Sequence, residues 1–200
     1  MERTLTTKGV ATQQRIVDGA AGAIRECGVA NISLDDVCRL TRTSKSQLFH
    51  YFPDGRAQLL SAVARHEADR VLADQEPYLS HLTSWRAWTA WRDAVVERYR
   101  AQGRHCPLSV LVGELGRDTD DGREIVVDLL GRWQRALGAG VRHMQQHGKM
   151  DPGVDADRAA AALVAGIQGG VVALLATGDI GGLTAALDLT LSRLRSAPAA

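Results

Sequence analysis

From Ser44 to Tyr51 the chain reads Ser-Lys-Ser-Gln-Leu-Phe-His-Tyr, and these side chains could do recognition chemistry on a nucleic acid. Lys45 offers a cation for phosphate. Ser46, Gln47 and His50 offer donors and acceptors of a length that reaches base edges. Leu48 and Phe52 are four residues apart, so on a helix they share one side and leave the polar set on the other. A short helix of this kind can lie in a DNA major groove with its first residues at the bases.

Two capped helices would position that face. Ser33 is a good N-cap, and Asp36, three residues on, completes a capping-box pattern. Leu34, Val37, Cys38 and Leu40 then give the first helix an apolar side. Thr41 to Thr43 break the pattern, and Ser44 caps a second helix with Gln47 at the box position. The same spacing also fits a helical hairpin that only closes a core. Charge favours the groove reading: Arg39 to Arg56 holds four Lys/Arg and one acid, Asp54, and a local positive patch is what a phosphate footprint requires.

An N-terminal helix, Gly28, a capped helix, Thr-Ser-Lys, Leu-Phe-His-Tyr-Phe-Pro and a following Leu-Leu together resemble the TetR/AcrR family of bacterial transcriptional regulators. The resembling motif covers roughly the first quarter of the chain. The resemblance implies an all-α protein of about nine helices. A helix-turn-helix head over residues 1–55 would be linked to a ligand-binding and dimerisation domain over residues 56–200. It places Thr43, Ser44, Lys45, Ser46, Gln47, His50 and Tyr51 toward DNA, with Ser33 capping the helix that crosses the backbone. It implies a homodimer on a double-stranded operator, released by a small-molecule inducer. Four positions depart from the family pattern. Phe49 replaces a phosphate-binding Tyr. Gly55 replaces a Lys, for which Arg56 could partly substitute. Ser46 replaces a Gly, and Arg42 replaces a turn Gly.

Two hundred residues, 45% of them apolar, and a net charge of +1 suit a small domain docked on a larger helical one, and exclude a strongly basic non-specific binder. Met1 to Thr12 is polar and reads as no signal peptide. Ala159 to Thr177 comes closest to a membrane span, but Gln168 and small residues interrupt it. Cys27, Cys38 and Cys106 are odd in number and far apart, which argues against a disulfide framework or a zinc site. The expectation is a soluble, cytoplasmic chain with no cofactor or metal and no membrane partner.

The remaining elements follow from periodicity. Residues 1–9 read as a polar arm in which Arg3 and Lys8 could reach DNA. Val10 to Cys27 is an amphipathic helix ended by Gly28. A long helix runs from after Gly55 to about Leu79, with Leu59, Leu60, Val63, Val71 and Leu72 buried. In the family it links the head to the larger domain. Ser84 opens a helix through Gln102 with Trp85, Trp88, Trp91, Val95 and Tyr99 on one stripe. Trp88, Trp91 and Tyr99 either pack a core or line a cavity for an aromatic or cationic ligand. Pro107 starts a short helix to Arg117 and leaves Cys106 near its N-cap beside Arg104 and His105. That position favours a thiolate that could sense oxidants or electrophiles, and also suits a small packed residue. Arg123 to Gly148 is helical, with Ile125, Val126, Leu129, Leu130, Trp133, Leu137, Val141 and Met144 inward. Trp133, His143 and Met144 are pocket candidates or ordinary core or surface residues. Val154 to Thr177 carries Ala162, Gly166, Gly169, Gly170 and Ala173, a small-residue row that admits a close neighbour, for which packing within one subunit would suffice. With Leu187 and Leu191 of the last helix, Gly181 to Leu194, it matches the family's four-helix dimer interface. Ser196 to Ala200 reads as a frayed tail. No phosphate loop, zinc-protease motif or nucleophile elbow points to an enzyme. His81, His105, Glu114 and Asp118 form no catalytic pattern, and a non-specific architectural protein would carry more positive charge.

Overall fold

The computed structural model describes residues 6–103 and 120–196, with side chains through Arg195. The described residues form eight α-helices and no strand: α1 (Thr7–Cys27), α2 (Leu34–Thr41), α3 (Lys45–Tyr51), α4 (Arg56–Ala73), α5 (Trp85–Gln102), α6 (Asp120–Gln146), α7 (Ala156–Thr177) and α8 (Gly181–Ser196). Arg3, the Arg104-His105-Cys106-Pro107 start, the short helix to Arg117, Glu114 and Asp118 lie outside the described residues, as do the tail residues from Ala197.

The chain forms two compact units. The first contains the described residues through Asp69 together with 120–126, and the second contains 70–103 with 127–196. In the first, α1 begins one turn before the expected Val10, because the Thr6 hydroxyl accepts from the Gly9 N–H and caps it. Ile16, Val17, Ala20, Ala21, Ala23 and Ile24 form its buried stripe. A Cβ on Gly19 would lie 2.3 Å from Thr41 Cγ2, so this glycine is what lets α2 approach α1 so closely. Thr41 is buried as a result, and its hydroxyl donates to the Val37 carbonyl at 2.7 Å. Leu40 was expected inside but is 58% exposed. The inner stripe of α2 runs through Val37 and Thr41, and Leu40 falls about 100° round the helix from Thr41.

Further ties fix the head. The Arg25 guanidinium pairs with Glu67, whose carboxylate is buried between α1 and α4. Arg56 donates to the carbonyls of Ile32 and Val29, the latter at 2.6 Å, and so clamps the turn before α2 to the start of α4. At the corner between α2 and α3, Arg42 adopts φ 51° and ψ 44°. That is the left-handed conformation a glycine takes at lower cost.

α4 ends at Ala73, not near Leu79, and turns and a short 3₁₀ segment (Leu79–His81) carry the chain to α5. In the second unit Trp88 and Trp91 are fully buried and meet edge to face, centroids 5.8 Å apart. The Trp91 indole N–H donates to Gln75 Oε1 at 2.8 Å, and Gln75 Nε2 donates to the Val71 carbonyl. Thus the chain beyond α4 is pinned to α5 by a satisfied buried polar pair. Gly140 of α6 seats against Leu82 and the Trp88 ring. Leu72 and Leu130, both expected inside, are only half-buried.

α7 is long and apolar enough to cross a membrane by length and composition alone, a test that core helices also pass. Its apolar surface is here partly covered by α8. At Gly170 an added Cβ would sit 2.4 Å from Leu183 Cα, and at Gly166 it would sit 3.2 Å from Ala186 Cβ. These glycines make the α7–α8 contact possible.

Two substitutions test these contacts in opposite directions. Gly170→Ala meets backbone rather than a yielding side chain, and is expected to destabilise the chain by about 1–3 kcal/mol in urea titrations. Arg42→Gly relieves a left-handed arginine and is expected to raise stability by roughly 0.5–1 kcal/mol in the same titrations.

Candidate nucleic-acid interface

Two capping boxes set the geometry of α2 and α3. Ser33 Oγ accepts from the Asp36 N–H at 3.2 Å, and Asp36 Oδ2 accepts from the Ser33 N–H at 3.1 Å. The Ser33 hydroxyl bond, its backbone N–H and Arg39 hold the Asp36 carboxyl below its ordinary range. Ser44 and Gln47 repeat the arrangement on α3: Ser44 Oγ accepts from the Gln47 N–H at 3.1 Å, and Gln47 Oε1 accepts from the Ser44 N–H at 3.2 Å.

With both ends fixed, Leu48 and Phe52 are 0% and 1% exposed. Ser44, Lys45, Ser46, Gln47 and His50 lie on the solvent side. Tyr51 is half-buried, its ring edge-on to His50 at 5.0 Å. The outward face matches the sequence expectation for these residues.

Two expected members of the face are elsewhere. Thr43 is buried, its hydroxyl 3.0 Å from that of Thr41, because the tight corner folds it inward against the end of α2. Arg56 does not substitute for the missing lysine, since its guanidinium is committed to the Val29 and Ile32 carbonyls. Gly55 explains why no lysine stands there. It has φ +64°, and an added Cβ would lie 3.3 Å from the Phe49 ring, so a lysine here would be strained. Ser33, besides its cap, donates its hydroxyl to Asp36 at 2.6 Å.

Two constraints act on this face, and the first was not legible in the sequence. Lys45 Nζ lies 2.9 Å from Asp35 Oδ1, and that hydrogen bond raises the lysine's pKa above its ordinary value. A phosphate would therefore compete with Asp35 for the ammonium. Gln47 Oε1 is held by the cap, so reading adenine with both amide atoms requires the box to open. The i to i+10 relation of Asp35 and Lys45 carries no local sequence signal; the Gln47 box was visible.

In the second unit Trp88, Trp91 and Trp133 are 0% exposed and Tyr99 is 4% exposed, all in the core. The indole N–H groups of Trp88 and Trp133 are buried without a hydrogen-bond partner. His143 is half-exposed and stacks on His147, ring centroids 4.1 Å apart. Cys106 lies outside the described residues. Burial pushes the Cys38 thiol above its ordinary pKa, as suits a packed residue. Gly170 and Leu187 are buried by contacts within the chain, which removes them from any surface open to a second copy. Gly166 and Ala173 face α8 of their own chain, and Leu191 is half-buried. Ala162 and Gly169 are exposed. No group of His, Cys, Asp and Glu among the described residues is arranged to hold a metal ion.

Known proteins resemble this chain in sequence and in fold. An uncharacterised HTH-type transcriptional regulator of Mycobacterium tuberculosis is 29% identical over 120 residues, 56% of this chain and 57% of its own length. The chain thus spans little more than half of that relative. The transcriptional regulator AcuR of Cereibacter sphaeroides is 25% identical over 165 residues, 80% of this chain and 74% of AcuR. Among solved structures, a TetR transcriptional regulator from Chloroflexus aurantiacus superposes with a TM-score of 0.75 at 22% identity, over 96% of this chain and 98% of that one. One from Haloarcula marismortui gives 0.77 at 16% identity, over 92% and 97%. These two likenesses show the fold. The family model for the tetracyclin repressor-like C-terminal domain matches residues 84–189, more than half of the sequence. The chain therefore belongs to the TetR family of transcriptional regulators.

Proposed function

We propose that this regulator is a cytoplasmic repressor that binds a palindromic DNA operator as a homodimer and is released by a small molecule. The observation that carries the reading is the outward face of α3, with Lys45, Ser46, Gln47 and His50 exposed above buried Leu48 and Phe52. In this reading the N-terminal turn of α3 enters the major groove. Lys45 exchanges Asp35 for a phosphate, and the free amide nitrogen of Gln47 with His50 reads base edges. Arg42, exposed at the corner, adds positive potential beside the backbone.

The second copy has a surface to meet. Ala165, Gly169, Val172 and Ala176 follow at helical spacing on α7. Val172 is 66% exposed, and Leu189 of α8 is 72% exposed. An added Cβ on Gly169 would meet nothing within 4 Å, unlike one on Gly170. Room at this position suits close approach of a partner helix. An inducer acts by binding the second unit better when the two heads are misplaced for one duplex, α4 being the connecting rod.

Selection of bound sequences from random duplexes, followed by titration across salt, tests the DNA face. Lys45→Ala should weaken all sequences alike and lower the salt slope by about one. Asp35→Asn should tighten binding at low salt. Gln47→Ala should relax base preference, whereas Ser44→Ala, which breaks the same cap, should leave preference intact. Unchanged binding in both Lys45→Ala and Gln47→Ala would overturn the assignment. For the dimer, Val172→Glu should give monomers in sedimentation and lose binding to a two-half-site duplex, because an unpaired carboxylate cannot be desolvated there.

A further inference from the structure

We propose that a cleft between α5 and α8 is a seat for a small organic monocation, a seat that the chain's own Arg195 now fills. The proposal rests on the small-molecule reading above and gives that molecule a site and a chemistry. The cleft lies wholly within the second unit and has a volume of about 300 Å³, at the small end of the range for ligand pockets. Trp85, Trp88, Arg92, Asp93, Asp188 and Arg195 are among its walls.

Charge decides what fits. Arg92 donates Nε and Nη2 to the two oxygens of Asp188, each at 2.7 Å, and Nη1 to Asp93 at 2.8 Å. This guanidinium is committed, and the carboxylate of Asp188 raises its pKa further. One arginine between two carboxylates leaves the cleft one negative charge in excess. The remaining positive charge comes from Arg195, whose guanidinium lies 5.6 Å from the centre of the Trp85 ring, a cation–π arrangement. Arg195 is an exposed side chain in the last turn of α8, so it can swing out without breaking a core contact. A guest cation that replaces it on the Trp85 face restores the charge balance.

The cleft is separate from the face proposed for dimerisation. Asp188, Leu191 and Arg195 follow one stripe of α8, and Leu189 lies about 100° round the helix from Asp188.

Choline, which joins a quaternary ammonium to a hydroxyl, is the probe. Its neutral isostere, with carbon in place of the nitrogen, is the control. Binding to the full chain without DNA is read by tryptophan fluorescence and titration calorimetry. Choline should bind at least about tenfold more tightly than the isostere, Arg195→Ala should tighten choline severalfold, and Trp85→Leu should abolish binding. Equal binding of choline and isostere, or no gain from Arg195→Ala, would overturn the proposal. Failure of Trp85→Leu to fold would leave the Arg195→Ala comparison as the deciding result. A separate arm adds choline to the DNA complex. Choline that binds without releasing DNA upholds the site and refutes only its part in induction.

Discussion

The burial of Leu48 and Phe52 fixes which way α3 faces, and the rest of the head serves that one fact. Each apolar side chain taken from water contributes on the order of 1.5–3 kcal/mol, more than an exposed ion pair or a single cap supplies. Once these two are inside, helical geometry leaves Lys45, Ser46, Gln47 and His50 no choice but solvent. The caps at Ser44 and Ser33 set where each helix begins, and Gly19 lets α2 come close enough to α1 to hold the corner.

Under the proposed function, one residue of the head serves stability and recognition at once. Gln47 closes its capping box with the oxygen that a base contact would use, and Lys45 rests on Asp35. Both groups are therefore preoccupied until a ligand competes for them. A polyanionic duplex can displace Asp35 anywhere, because any phosphate will do, but opening the Gln47 cap requires a base edge that repays the lost bond. In the function proposed above, general attraction and sequence choice are thus divided between neighbouring residues of one helical turn.

In the second unit the same economy appears among the tryptophans. Trp91 has a built acceptor in Gln75, whereas Trp88 and Trp133 bury N–H groups without one. Buried donors are ordinarily paired, so these two are exceptions within the core. The α7–α8 pair divides its small residues likewise. Gly170 is spent on contact within the chain, and Gly169, one residue earlier, stays open.

Much of this was legible in the sequence because it is local. Both capping boxes, the all-helical class, the span of α5 and the Leu48–Phe52 stripe depend on residues three or four apart. What only the tertiary structure decided involves residues far apart in the chain. Thr43 is buried by its corner, and Arg56 is drawn away to carbonyls more than twenty positions earlier. Leu40 is left outside because Gly19 admits Thr41 instead, and Asp188 reaches Arg92 across ninety-six positions. Periodicity states which side of a helix is apolar, but not which neighbour will cover it or which charge will find a partner there. That depends on how closely two helices approach, and in this chain a few glycines set that distance.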